Sequence, residues 1–293
     1  MRNLVLAVHG SAVPEAGAAV GRLAEAGAAV GRLAEAGAAV ARLAEAGAAV
    51  GRLPEAGAAV GRLADAVRRL TGAPVAVGHL DHQKPSLPDV LADRPGAVVV
   101  PLLLGDGYHR TVDIPAVARH FDCAVTRGLS GEHAVALALH DRLRAAERAA
   151  GGPADAVVVA GAGSSRPGGN DGTLTAARQL AALLPVPVTV AYCSASTPTP
   201  AEAVARLRAQ GFRRVALAAH LLAPGRFTRA LAEVPDTWAV GEPLAGHPRL
   251  AGLVVARYAE ACAAQRPSPY GATHPVFRGI RPDAPTALLC WEA

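Results

Sequence analysis

Two histidines and an aspartate, far apart along the chain, each follow an apolar run of strand length. His9 comes after Leu4 to Val8 and opens the triplet His9-Gly10-Ser11. Asp81 comes after Val75 to Leu80, and His109 lies on a glycine-rich loop after Val98 to Leu104, with Arg110 and Asp113 close behind. Parallel strands of one sheet present their carboxyl ends on one edge, where open α/β sheets place their ligands. The three residues are therefore expected to converge. Two imidazoles and a carboxylate suit a first-row divalent metal, and imidazoles that titrate near neutral pH can also accept protons. Each residue also has a plainer reading. His9 can orient backbone beside its Gly-Ser turn, and Asp81 can cap the turn at Pro85-Ser86. Loops hold function more often than packing, which favours His109 as a working residue.

The elements that must position these residues alternate. Runs Leu4 to Val8, Val75 to Leu80 and Val98 to Leu104 read as strands, with a shorter one at Ala124 and Val125. Helices are expected over Ser86 to Ala92, Ile114 to Phe121 and Glu132 to Ala150, with Asp113 capping the second and Ser11 capping one after the first strand. Such alternation predicts a parallel sheet with helices on both faces.

Between Glu15 and Ala64 the decapeptide EAGAAVGRLA occurs five times, with Ala41 and Pro54 as its departures. Ten residues at ~100° each fall ~80° short of three turns, so the apolar stripes of successive copies rotate off any one face. Glycines cost about 1 kcal/mol each in a helix interior, and Pro54 should kink or break it. The array (15–64) is expected to be an exposed Ala/Gly-rich helical insertion without a role in the site; a partner-binding rod is the alternative. Excising four copies leaves SAVPEAGAAVGRLADAVRRLTG, one amphipathic helix of ordinary length.

After Gly151-Gly152-Pro153 the chain reads as a faded second copy of its first part. LVLAVHGS (Leu4 to Ser11) is echoed by VVVAGAGS (Val157 to Ser164), Val75 to Leu87 by Val188 to Pro200, and the His109 strand and loop by Val215 to Leu231. Ala162, Ser194 and Phe227 stand where His9, Asp81 and His109 did. The expected organisation is a site-bearing half (1–150), a degenerate half (151–262) and a tail (263–293) rich in Pro, Gly and Arg.

Composition narrows the partners. Aromatic residues make up 3% of the 293, too few to suggest stacking on nucleic acid, and the net charge of +5 comes without a dense basic run. No apolar run approaches the ~18 residues of a membrane span. Cys123, Cys193, Cys262 and Cys290 form no Cys-x-x-Cys pair, so a cytoplasmic protein is expected, with neither nucleic acid nor membrane as partner.

Taken together, His9-Gly10-Ser11, the acid Asp81 followed by Pro85-Ser86-Leu87, and PLLLGDGYHRTVDIP at Pro101 to Pro115 resemble the sirohydrochlorin chelatases and the related cobaltochelatases. The resemblance covers roughly residues 1–260, apart from most of the array. It implies a class II chelatase whose two α/β halves, fused here in the long form, face each other across a cleft for a tetrapyrrole. It further implies insertion of Fe2+ or Co2+ into sirohydrochlorin for siroheme or cobalamin, without an organic cofactor, by a monomer with an internal pseudo-twofold. By motif, His9 and His109 would bind the metal and accept protons, with Asp81 as a further ligand where the family usually has glutamate. Ser11, Lys84, Gly107, Arg110 and Arg226 would contact the substrate, with Arg166 and Arg229 as further cations, because arginine binds carboxylates bidentately. A non-catalytic tetrapyrrole or metal carrier is the alternative.

Overall fold

The computed structural model describes residues 2–9, 53–81 and 83–264. Ser11, His82, most of the decapeptide array and the segment from residue 265 onward lie outside them. Strands β1 (Leu4–Val8), β2 (Val75–His79), β3 (Ala97–Pro101) and β4 (Cys123–Val125) form a parallel sheet in the order β2-β1-β3-β4. Strands β5 (Ala156–Gly161), β6 (Val188–Tyr192), β7 (Val215–His220) and β8 (Ala239–Val240) form a second one in the order β6-β5-β7-β8. The central strands β1, β3, β5 and β7 are buried along their whole length, as expected of aliphatic runs covered on both faces. Burying each Val or Leu side chain contributes about 1.5–3 kcal/mol, so these runs fix where the sheets form.

The internal echo is reproduced in the strand registers. Leu4 pairs with Val75 and Val98, and Val157 pairs with Val188 and Ala216. These are the positions that the two sequences align. Helices α1 (Leu53–Thr71), α2 (Leu87–Ala92), α3 (Ile114–Ala118) and α4 (His133–Ala149) complete the first half. Helices α5 (Asp171–Ala181), α6 (Pro200–Ala209), α7 (Arg226–Ala232) and α8 (Pro248–Ala264) complete the second. Helices α2 and α6 both open with a capping box, Ser86 with Asp89 and Thr199 with Glu202, a device whose cap contributes about 1 kcal/mol. In both halves the X–Pro bond just before that cap, at Pro85 and at Pro198, is cis.

Two expectations change at the edge of the first sheet. Strand β3 ends at Pro101 rather than Leu104: Leu102 N–H still donates to Ala7 O at 2.9 Å, but the neighbouring strands β1 and β4 stop at Val8 and Val125. Leu102 and Leu104 remain buried as irregular chain. Asp113 does not cap a helix: a π-helical turn already spans His109–Asp113 and runs straight into α3. The Pro115 ring marks where regular α geometry resumes, not where the helix starts.

Each half sends its last helix to the other. Helix α4 packs on α5, β7 and β8 of the second half, while α8 packs on α1 and β3 of the first. One core is continuous across both halves, from Leu6 and Val100 through Leu143 to Val157, Leu180 and Val254. The exchange is pinned by polar contacts: Tyr258 Oη donates to Arg2 O at 2.8 Å, and Arg257 reaches Glu132 and Gly128 O.

Helices α1 and α5 align without a gap. Buried Ala59, Val60, Leu63 and Val67 match buried Gly172, Thr173, Ala176 and Leu180, and Pro54 matches Pro167. From Ser164 to Pro167 is three residues; from Ser11 to Pro54 is forty residues more, the length of four decapeptides. The copy at 55–64 suits this packing because Val67 follows it; sliding an earlier copy into its place would put glycine there. Deleting residues 15–54 should therefore leave a folded protein with its melting temperature within about 5 °C of the parent, a change of roughly 1–2 kcal/mol. Loss of the cooperative melt on deletion would show that the array is part of the fold.

One buried pair differs between the halves. Val60 and Leu102 of the first half are matched by Thr173 and His220, whose Oγ1 and Nδ1 lie 3.1 Å apart. His220 Nε2 is buried without a partner among the described residues. Burial pushes the His220 imidazole down to about 4. Between about pH 6.5 and that value the unfolded chain takes up a proton that the folded one refuses. Stability should then fall with falling pH through this window, by up to roughly 1.4 kcal/mol per pH unit. The double variant Thr173→Val with His220→Leu copies the first-half pair. Its melting temperature should fall less steeply than the parent's between pH 7 and pH 4.5, and parallel curves would assign the acid sensitivity to other groups.

Candidate metal centre

His9 lies one residue beyond β1, Asp81 two beyond β2, and His109 begins the π-helical turn after β3. These strands are neighbours in the sheet, so their carboxyl ends deliver the three side chains to one spot. His9 Nδ1 is 3.2 Å and His109 Nε2 3.5 Å from the same oxygen, Asp81 Oδ2. The two rings are 4.5 Å apart, centre to centre, and inclined by 33°. One ligand atom from each residue falls within 4.8 Å of the other two. Ligands on a shared first-row ion, with bonds of about 2.1 Å, stand about 3–4 Å apart, so the cluster can close on one ion with small rotations. Three donors leave further coordination positions on a first-row ion, as catalytic metal sites do.

The loop that carries His109 is shaped by its glycines. A Cβ on Gly105 would come within 2.9 Å of Gly169 O, so this loop lies directly against the glycine-rich loop of the second half. Gly107 faces Ser164 Oγ across the same contact. Further along, a Cβ on Gly172 would meet the Leu104 carbonyl oxygen, which lets α5 seat directly on the chain leading to the site. The wide turn then places Asp113 one turn past His109, with Asp113 Oδ2 2.6 Å from His109 Nδ1. π-Helical turns recur at functional sites because the extra residue re-aims side chains.

The remaining residues expected at the site are spread around this centre. Lys84 is exposed and hydrogen-bonded to Asp89 at 2.9 Å, on the loop that caps α2. That contact and the Ser86 hydroxyl hold the Asp89 carboxyl down at about 2, the Ser86 hydrogen bond contributing most. Arg110 lies along Gly128, 3.9 Å from Asp106. Arg226 stacks over Phe227 at 4.9 Å in the second half. Ser11 lies outside the described residues. Arg166, on the second half's glycine-rich loop, stacks on the exposed Tyr108 ring at 5.5 Å. Sequence reading assigned Tyr108 nothing and gave Asp113 the work of a cap. The His109-to-Asp113 spacing of four was the available signal, hidden by the assumption that the helix starts at Ile114.

In the second half the matching positions are closed by their own contacts. Ser194 Oγ donates to Ala162 O at 2.9 Å, and Asn170 ties Ser164 to Ser196. Cavities of about 500 and 360 Å³ lie elsewhere, between α1 and the 242–251 segment, and share Arg62, Ala245 and Gly246. His9, Asp81 and His109 line neither of them.

Two parallel sheets of identical order, with a histidine–aspartate cluster at the strand ends of one, define a two-half protein of the chelatase fold. The CbiX family model matches the chain twice, over residues 51–146 and 156–261. The chain belongs to the CbiX family. The first match begins after His9, because the array separates β1 from the rest of its half.

Solved structures share the fold. SirB from Bacillus subtilis with Fe3+ superposes with a TM-score of 0.59 at 19% identity, over 90% of this chain and 96% of that one. The sirohydrochlorin chelatase SirB from Bacillus subtilis subspecies spizizenii in complex with cobalt gives 0.57 at 17%, over 90% and 97%. CbiX, described as the terminal enzyme for siroheme biosynthesis in denitrifying bacteria, gives 0.56 at 16%, over 89% and 99%. No curated protein matches the sequence. Among the described residues, no helix is long and apolar enough to cross a membrane.

If the three side chains form one seat, each should matter to metal affinity by itself. Replacing His9, Asp81 or His109 singly by alanine should weaken Co2+ binding at least about tenfold, read by calorimetric titration, with little change in melting temperature because the groups are partly exposed. Unchanged affinity in the His109→Ala variant would remove that residue from the ligand set.

Proposed function

We propose that this protein is a metal chelatase that inserts a divalent ion, Fe2+ or Co2+, into sirohydrochlorin, serving siroheme or cobalamin synthesis as a cytoplasmic monomer. The observation that carries this reading is the cluster of His9, Asp81 and His109 at adjacent strand ends of a CbiX-family fold. Nitrogen and oxygen donors of this kind accept Fe2+, Co2+ and Ni2+ alike, so the choice of metal is left to supply and geometry.

Insertion exchanges one divalent ion for two pyrrole N–H protons. In this reading His9, Asp81 and His109 hold the incoming ion as it sheds water, and its open side faces the macrocycle. As the ion moves to the ring nitrogens, the imidazoles are released to take the departing protons. Neutral imidazole suits both tasks, since the lone pair that binds the ion also accepts the proton. The contact of Gly105 with Gly169 sets the second half's loop close to this seat, and Arg166 on that loop is available for a substrate carboxylate. Ser11, Lys84, Gly107, Arg110 and Arg226 are the other proposed substrate contacts. Lys84 would have to exchange Asp89 for substrate, and Arg226 would have to leave its stack on Phe227.

Anaerobic incubation of the purified protein with sirohydrochlorin and each metal, followed by absorbance, tests the proposal. Multiple turnovers with Fe2+ or Co2+, reduced at least about a hundredfold in His109→Ala, are expected for loss of a group that serves both binding and proton transfer. Stoichiometric binding of the macrocycle with no turnover would instead make the protein a carrier.

A further inference from the structure

We propose that Asp113 is the positioning residue of the metal seat: it fixes the His109 proton on Nδ1, which turns the Nε2 lone pair onto Asp81 and leaves a gap that a divalent cation can fill. The inference rests on the metal seat of the proposed function, and not on the macrocycle.

The geometry assigns the hydrogen. Asp113 Oδ2 lies 2.6 Å from His109 Nδ1, the short distance of a charge-assisted hydrogen bond. An ionised carboxylate can only accept, so Nδ1 is the donor. A neutral imidazole has one N–H, and Nε2 is then a bare lone pair. That lone pair faces Asp81 Oδ2 at 3.5 Å, also an acceptor. Two acceptors held face to face gain nothing from each other, yet both are good ligands for a divalent ion placed between them. His9 Nδ1, 3.2 Å from the same oxygen, supplies the third donor direction. Asp113 sits one turn beyond His109 in the π-helical turn, where Ile114 N–H reaches back to His109 O, and its carboxylate meets the Nδ1 edge of the ring.

The isosteric amide reverses the logic. In Asp113→Asn the carboxamide can donate an N–H to Nδ1, which moves the histidine proton to Nε2. Nε2–H then donates to Asp81, and the seat is closed by a hydrogen bond before any metal arrives. Asp113→Ala removes the bias without imposing the opposite one. Asp113→Glu keeps a carboxylate acceptor on a longer arm.

The test uses the full-length protein, Co2+ alone as probe, and long-range nitrogen–proton NMR of histidine-labelled protein at about pH 8. The expected result is an Nδ1–H signature for His109 in the metal-free parent and an Nε2–H signature in Asp113→Asn. Co2+ affinity should fall about 10- to 100-fold in Asp113→Asn, the range typical of lost outer partners of metal-bound histidine. It should fall less in Asp113→Ala and recover in Asp113→Glu, with the melting temperature of Asp113→Asn equal to or above the parent's. An Nε2–H signature in the parent would overturn the proposal, and so would parental Co2+ affinity in Asp113→Asn or equal losses in the Asn and Ala variants. Should Asp113→Asn fail to fold, the parent's tautomer and the Ala and Glu titrations decide alone. No tetrapyrrole enters these measurements, so failure of insertion and failure of this assignment are separate results.

Discussion

A single carboxylate oxygen gathers the site. Asp81 Oδ2 is approached by an imidazole from each side, 3.2 Å from His9 and 3.5 Å from His109, and each of the three comes from a different strand end. That meeting depends on β1 lying between β2 and β3 with all three parallel. An antiparallel neighbour would carry its loop to the opposite edge of the sheet. The aliphatic strands therefore do more than stabilise the half: their direction decides that three distant residues share one ion's worth of space. The half-exposed position of the cluster keeps ordinary hydration within reach, so the charge of Asp81 is not stranded in a dry core.

Much of this was legible in the sequence because strand ends punctuate it. Apolar runs that stop at Gly or at a polar pair located β1 and β2 to within a residue or two, and the echoes of the first part placed β5, β6 and β7 within the second. What escaped was governed by contacts between segments. Strand periodicity cannot see that the strand ends at Pro101 while Leu102 and Leu104 stay buried beneath the loop. Nor can helix signals reveal a π-helical turn, since Ile114-Pro115 looks like a start whether or not a wider turn precedes it. Asp113 was accordingly read as a cap, although its spacing of four from His109 would pair the two side chains on any helical turn. The exchange of α4 and α8 between halves was likewise invisible, because an amphipathic helix does not state which sheet it will cover.

The two halves divide labour within a common frame. Identical registers and paired capping boxes show how much scaffold the second half retains, while its site positions hold Ala162, Ser194 and Phe227. Beside Ala162 and Ser194 the glycine-rich loop folds back on itself through Ser164, Asn170 and Ser196. The loop so stiffened is the surface against which Gly105 and Gly107 rest.

The same frame accounts for the place of the decapeptide array. His9 is fixed from its N-terminal side by β1, and α1 is fixed by Val60, Leu63 and Val67 against the core and α8. Chain added between them changes neither anchor. Lengthening such a connection about sixfold would cost only on the order of 1.5 kcal/mol in closure entropy even if it gained no contacts of its own, because that cost grows with the logarithm of length. An insertion of the same size between His109 and Asp113 would separate two residues whose bond depends on their spacing of four. Expansion is therefore tolerable immediately beyond His9 and intolerable in the few residues after His109.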